Sequence, residues 1–421
     1  MHDVLSLVER HDEWRLTKCI NLQPSENVTS PAVRRILASD MGHRYTLPIN
    51  QEVHGSFVGN AYRGTRYMDE VEGRGEELAR ELYDAEFATL KPLSGHIAGM
   101  LMLLGTCDRG DRILVIDTKH GGYDGYLGEG MPQMFGLRVD ILPFDERKWD
   151  VDSEAAAKKI LEHKPKLIVL GASFILFPYD IRPMRVAADD VGALIGYDGS
   201  HVLGLIAGEE FQSPLPEGAD ILAGSTHKSL FGPQGGLLVC NDAKVFERVQ
   251  KAIRWRVMDN AHWNRIAALT QTLLEAKHFG AEYARQVVRN AQILADELKK
   301  RGFPVRFSEL GYTRCHQIHI DVGKLKRSFG LTLNDFASRL EESNIIVDAV
   351  GRLGTNEVTR MGAGRKHMVA IAGLIMRVVQ GERVDKEVTE LRSGLSISYC
   401  FPEETARPAR KSRRKPSRKS Q

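Results

Sequence analysis

The chain has 421 residues, 42% of them hydrophobic and 27% charged, enough for a sizeable core and for two domains of ordinary globular composition. The formal net charge of +3 is uneven: the last 21 residues carry +6 (eight Lys or Arg between Arg407 and Lys419 against Glu403 and Glu404), which leaves −3 on residues 1–400. A mildly acidic body offers no nucleic-acid surface, five widely spaced cysteines without a CxxC pair argue against a zinc site or disulfide framework, and no stretch is long enough to span a membrane.

Residues 3–20 follow an amphipathic helical pattern, and residues 1–30 are expected to form an N-terminal arm. The charged opening "MHDVLSLVERHDEW" lacks the apolar run of a secretory leader, so a reducing, cytoplasmic compartment is expected. "EVEGRGEELARELYD" (70–84) reads as helix by its charge spacing. Short apolar runs at 111–117, 165–173 and 192–198 alternate with helical patterns at 152–164 and 182–192. That alternation is the βαβ signature of an α/β domain with a mostly parallel sheet, expected over 31–265. "ADILAGST" and "GGLLVCND" add two strands around residue 230. A long helical pattern starts near 265, followed by strand-like "CHQIHIDVG", helical "TLNDFASRLEESN", strand-like "NIIVDAV" and a helix near 365–380. These are read as a smaller α+β domain over 266–400, with 401–421 as a disordered, solubilising basic tail, the alternative being contact with nucleic acid or an acidic membrane.

Ligands in such sheets sit outside the carboxyl ends of the strands. The residues to inspect are therefore Lys119 to Tyr123, Ser173, Asp198 to His201, and Ser225 to Lys228. A lysine at a strand end is partly desolvated, which lowers its pKa and makes it nucleophilic. Pyridoxal phosphate needs such a lysine for its aldehyde and a carboxylate at its ring nitrogen. Lys228 and Asp198 supply these groups. "KPLSGHIAGM" offers Ser94, Gly95 and His96 before an apolar helix, a phosphate cup. "KHGGYDGY" supplies His120 and Tyr123 as flat partners for a ring. Each signal alone is ordinary, because a lone lysine after a strand faces solvent and a lone aspartate caps a turn. Their order along the chain is what carries the reading.

At this point the motifs become family-specific. "LQPSENVTSPAVR" (22–34), "YDGSHVLGLIAG" (197–208), "GSTHKSLFGPQGG" (224–236) and "VTRMG" (358–362) resemble segments of the serine hydroxymethyltransferases, fold-type I pyridoxal-phosphate enzymes, over residues 20–400. The resemblance implies a large domain with a seven-stranded, mostly parallel sheet, a smaller C-terminal domain, and a homodimer. It implies that Lys228 bonds the cofactor, Asp198 pairs with the pyridine nitrogen, and His201 sits near the ring hydroxyl. Ser94, Gly95 and His96 would hold phosphate, Tyr123 would stack on the ring, and Ser173, Thr226 and His227 would lie at the cofactor. Ser25 and Arg360 would hold the substrate carboxylate, and Tyr62 would reach into the neighbouring subunit's site. No metal is implied.

Four departures stand out. Gln234 replaces an arginine of "GPRGG". The segment "YTLPINQEVHGSFVGNAYRGT" carries an insertion, with Glu52 the nearest candidate for the catalytic glutamate. "WRVMDNAHWN" (255–264) replaces a glycine-rich phosphate segment, and Tyr123 replaces a histidine. These changes leave tetrahydrofolate use open. "GPQ" and "GYTRCHQIHIDVG" (311–323) are similar to a related branch, the threonine transaldolases. The activity implied is Cα–Cβ cleavage and formation on β-hydroxy amino acids. It is read as hydroxymethyl transfer, with a folate-independent threonine aldolase or transaldolase as the alternative. Glu52 or His201 would relay the proton. An aminotransferase would share the lysine and aspartate but not the "SEN" and "THK" segments. A binding module would need no electron sink.

Overall fold

The computed structural model describes residues 3–402, so the basic tail lies outside the described residues from Glu403 onward. Seven strands form the central sheet: β1 (Phe87–Thr89), β2 (Arg112–Val115), β3 (Arg138–Ile141), β4 (Leu167–Leu170), β5 (Leu194–Asp198), β6 (Ile221–Ser225) and β7 (Gly236–Cys240). Their spatial order is β1-β7-β6-β5-β4-β2-β3. β7 runs antiparallel to both neighbours and the remaining pairings are parallel, so the mostly parallel α/β expectation holds. β4 and β6 are buried along their whole length, which is why "LIVL" and "ILAGS" read as small or apolar runs without alternation. Helices cover both faces, with separate apolar cores on each side of the sheet.

The helices that matter for the site are α1 (Val4–Glu13), α2 (Gly95–Thr106), α3 (Trp263–Lys300), α4 (Asn356–Arg360) and α5 (Arg365–Val379). Asp3 caps α1 by accepting from the Ser6 amide, yet α1 buries none of its side chains. The segment after it turns inward. Ile20 and Asn21 pair in parallel with Ile345 and Ile346, and Ile20, Leu22 and Val28 enter the same core as Phe303, Phe336 and Ile375.

α3 joins the two parts of the molecule. Its first half packs Ile266, Leu269 and Leu273 into the core beside the sheet, and its last turns place Ala291, Leu294 and Leu298 in the second core. Each such leucine contributes roughly 1.5–3 kcal/mol by burial. The structure also contains an element that the sequence pattern does not announce: an antiparallel hairpin of Pro48–Val53 and Ser56–Asn60, mostly exposed. Among the described residues no helix is long and apolar enough to cross a membrane.

Candidate active site

Lys228 sits three residues past the end of β6, in a tightly closed loop. The Thr226 amide donates to the Gly235 carbonyl (3.1 Å) and the Gly232 amide to the Thr226 carbonyl (2.8 Å). Phe231 takes a left-handed conformation at φ 53°, which costs on the order of 1–2 kcal/mol and is held by the packing around it. Asn27 reaches over from the leading segment and donates to the Lys228 carbonyl at 2.7 Å. From the other side Gly204 fits against the loop, where a Cβ would stand 2.1 Å from the Ser229 carbonyl oxygen. Burial pulls the Lys228 amine down to about 8, with nearby Arg352 pushing the same way and Asp198 opposing. The lysine is thus a nucleophile near neutral pH.

Asp198 ends β5 and shares a cleft with Lys228, Ser173, His201 and Tyr123. Three donors orient its carboxylate: the Ser200 hydroxyl (2.6 Å), the Ser200 amide (3.0 Å) and the Tyr126 hydroxyl (3.1 Å). Burial, together with the Asp198 charge, raises the Tyr126 phenol well above its ordinary value, so it remains a donor. At the far end of the cleft lies the N-terminus of α2. Ser94 caps the helix by accepting from the Ile97 amide (3.1 Å). A Cβ on Gly95 would stand 2.0 Å from the Ser225 Oγ, so glycine alone permits this approach of α2 to β6. His96 Nδ1 lies 2.9 Å from the Tyr123 hydroxyl, which ties the flat ring to the helix end.

Several expected residues fall elsewhere. Arg360 is fully buried. Its guanidinium pairs with Glu275 (2.7 Å), donates to the Tyr399 carbonyl and lies 4.0 Å over the Phe231 ring. Its two terminal nitrogens are engaged in the interior and the side chain does not reach solvent, so the expectation that Arg360 clamps a substrate carboxylate is corrected. The arginine at the cleft is Arg352, which sequence reading missed. It donates to the carbonyl of Ser173 and to Asp348 (2.8 Å), and its charge depresses both Lys228 and His201.

Thr226 is also corrected as a cofactor contact, because its hydroxyl is buried and donates to the Pro233 carbonyl (2.7 Å). His227 and Ser25 line a neighbouring groove with Gln234 and Glu26, and burial lowers His227 to about 4. His120 is turned away from the cleft, stacked on Phe144 and bonded to Glu146 (3.0 Å). Glu52 and Tyr62 are exposed on and beside the hairpin, and Tyr62 touches only the Tyr45 ring (5.5 Å) among aromatic neighbours. Within one chain the structure does not bring Glu52 or Tyr62 to Lys228.

The remaining set fits pyridoxal phosphate: a desolvated amine, a triply oriented carboxylate across the same cleft, a flat ring and a helix N-terminus kept clear by Gly95. Comparison with known proteins agrees. The family model described as serine hydroxymethyltransferase matches residues 2–375. The chain is 40% identical to a serine hydroxymethyltransferase of Methanopyrus kandleri, with 95% of each chain covered. It is 38% identical to one of Korarchaeum cryptofilum, over 95% of this chain and 96% of the relative. Among solved structures, L-threonine transaldolase from Pseudomonas fluorescens superposes with a TM-score of 0.85 at 25% identity, covering 94% of this chain and 93% of that one.

Proposed function

The chain belongs to the serine hydroxymethyltransferase family, and on that premise we propose that its cleft breaks and forms the Cα–Cβ bond of β-hydroxy amino acids. The family places it among pyridoxal-phosphate enzymes of hydroxymethyl or aldol-type transfer on amino acids. The observation that carries the reading is the buried Lys228 amine, held at about 8, sharing one cleft with Asp198.

When bound, pyridoxal phosphate supplies an electron sink conjugated to the substrate's Cα. Lys228 holds its aldehyde. Asp198, fixed by Ser200 and Tyr126, keeps a proton on the pyridine nitrogen. Gly95 and His96 at the head of α2 would receive phosphate, and Tyr123 would cover the ring face. Arg352 would bind the amino-acid carboxylate and so orient the substrate at Cα. Ser25 approaches from the adjoining groove. Glu52 and Tyr62, exposed here, act in the partner subunit's cleft of a homodimer, where Glu52 takes the hydroxyl proton. The buried thiols Cys19, Cys107, Cys240 and Cys315, in no disulfide, support a cytoplasmic setting.

Our first reading is hydroxymethyl transfer between serine-like and glycine-like substrates. A second reading, transfer from threonine-type substrates to another aldehyde without folate, is favoured by the likeness to the transaldolase and by Gln234. That residue lies exposed in the groove beside His227, where the family motif has an arginine. Purified enzyme loaded with pyridoxal phosphate and given L-serine or L-threonine, each with and without tetrahydrofolate, decides between them. Serine turnover that requires tetrahydrofolate supports the first reading. Acetaldehyde release from threonine, indifferent to folate, supports the second.

A further inference from the structure

Two buried imidazoles meet behind the wall of the cleft that His201 lines, and the reaction above assigns a step to neither. His201 follows β5, and His316 comes from the small domain, just before the short strand Gln317–His319. Nδ1 of His201 lies 3.4 Å from Nε2 of His316, with ring centroids 5.6 Å apart and planes 17° apart. That centroid separation is close to the N···N gap plus two ring radii. The rings therefore lie end to end in nearly one plane, the geometry of an N–H···N contact rather than of face-to-face stacking.

A second contact fixes the direction of that bond. Nε2 of His316 also lies 3.1 Å from the carbonyl oxygen of Pro24. A carbonyl only accepts, so the proton is on Nε2 of His316. Nδ1 of His316 is buried without a partner, as the bare nitrogen of the neutral Nε2–H tautomer would be. Burial holds both rings far below the ordinary histidine range, His316 at about 3. The cations Lys228 and Arg352 push both the same way, and His227 adds to the effect on His201. Burial thus favours the neutral form of both rings. That single N–H is shared between the Pro24 carbonyl and Nδ1 of His201, and a second N–H on Nδ1 would meet no acceptor there, so Nδ1 of His201 is the lone-pair nitrogen.

We propose that His316 is a positioning residue that locks His201 in the Nε2–H tautomer, so that His201 offers the cleft a hydrogen-bond donor and not a base. This rests on the reading of the cleft above only in placing His201 beside the cofactor. It also removes His201 as the proton acceptor and leaves that task to a carboxylate.

Long-range 1H–15N correlation spectra of 15N-histidine-labelled protein test it, with and without pyridoxal phosphate. Wild type should show His201 protonated at Nε2, with a lone-pair signature at Nδ1 in both states. His316→Phe, which keeps a ring but offers no N–H, should lose that signature. His316→Gln, whose amide can reach the same nitrogen, should restore it. An Nδ1–H tautomer in wild type overturns the proposal, as does an unchanged tautomer in a folded His316→Phe protein. If His316→Phe does not fold, the wild-type tautomer alone decides. Since the measurement needs no cofactor, a failure of pyridoxal phosphate to bind would count against the function and not against the tautomer.

Discussion

The guanidinium of Arg360 meets the carboxylate of Glu275 at 2.7 Å, and neither side chain reaches solvent. Glu275 also accepts from Ser30 of the leading segment (2.6 Å), while Arg360 lies over Phe231 of the lysine loop. The pair thus ties α3, α4 and the leading segment to the loop that carries Lys228. Its work is architectural. Arg360→Met leaves a buried carboxylate unpaired and should lower stability by about 3–5 kcal/mol. Pairing it with Glu275→Leu should recover most of the loss. Urea unfolding measures both, and the Michaelis constant for the amino acid should stay near wild type in whatever protein folds.

Arg352 should behave in the opposite way. Its fork donates to Asp348 and to the Ser173 carbonyl at the cleft, a geometry that a lysine cannot copy. Arg352→Lys should raise the Michaelis constant for the amino acid by about 10–100-fold, the loss of a charged bidentate contact, with a much smaller change in unfolding free energy. Steady-state kinetics beside urea melts separate the two arginines.

The Lys228 amine titrates near 8, because burial disfavours its charge. The unprotonated form is the nucleophile, so the rate at which apo-protein captures pyridoxal phosphate should climb with pH through about 8 and level off above it. Stability carries the same signature. The folded value lies below that of the unfolded chain, so unfolded protein binds more protons between about 8 and 10.5 and stability rises with pH across that window. Apo-protein carrying Lys228→Met lacks this term. Its stability advantage over wild type should be largest below pH 8 and shrink as pH rises toward 10.5, which parallel denaturant titrations would show.

Gly95 sets the distance between α2 and β6. A methyl there would meet Ser225 Oγ at 2.0 Å and the Ser225 amide nitrogen at 3.0 Å, so helix or strand must shift. Gly95→Ala should weaken pyridoxal phosphate binding by about 10–100-fold, matching the usual 1–3 kcal/mol of overpacking. Equilibrium dialysis checks this, and Gly95→Ala/Ser225→Gly should recover part of it.

Glu52 and Lys228 act in different chains of one site if the hairpin serves the partner. Glu52→Gln and Lys228→Ala dimers should each be inactive. Mixing the two variants through a cycle of dissociation should restore about a quarter of wild-type activity, since half of the dimers are mixed and each holds one intact cleft. Recovery of none would place Glu52 in its own chain's cleft, and an active Glu52→Gln dimer would place it outside the chemistry.

The cleft was legible where chemistry and strand ends coincide. Lys228 and Asp198 close β6 and β5, and the glycine-rich stretch at 94–99 opens a helix. The arginine was not legible, for a specific reason: one short segment holds two Arg-x-Gly triplets, Arg352-Leu-Gly and Arg360-Met-Gly, eight residues apart. Pattern alone does not separate them. What does is that Arg352 lies on a short strand paired with His319 beside the cleft, while Arg360 ends a helix facing Glu275. Asn27 escaped notice because its role is a hydrogen bond to a backbone atom 201 residues away. Thr226 and His227 sit in the most recognisable motif, and there the motif records the closure of the loop as much as contact with a ligand. The hairpin at 48–60 was missed because its exposed strands lack the apolar alternation that marks a half-buried sheet.

The most direct test traps the cofactor where it binds. Wild-type protein loaded with pyridoxal phosphate, reduced with borohydride and digested should yield one modified peptide, containing Lys228, at one equivalent per chain, with none in Lys228→Ala. Modification centred on another lysine, such as Lys91, or no modification of the loaded wild type, would contradict the assignment of this cleft.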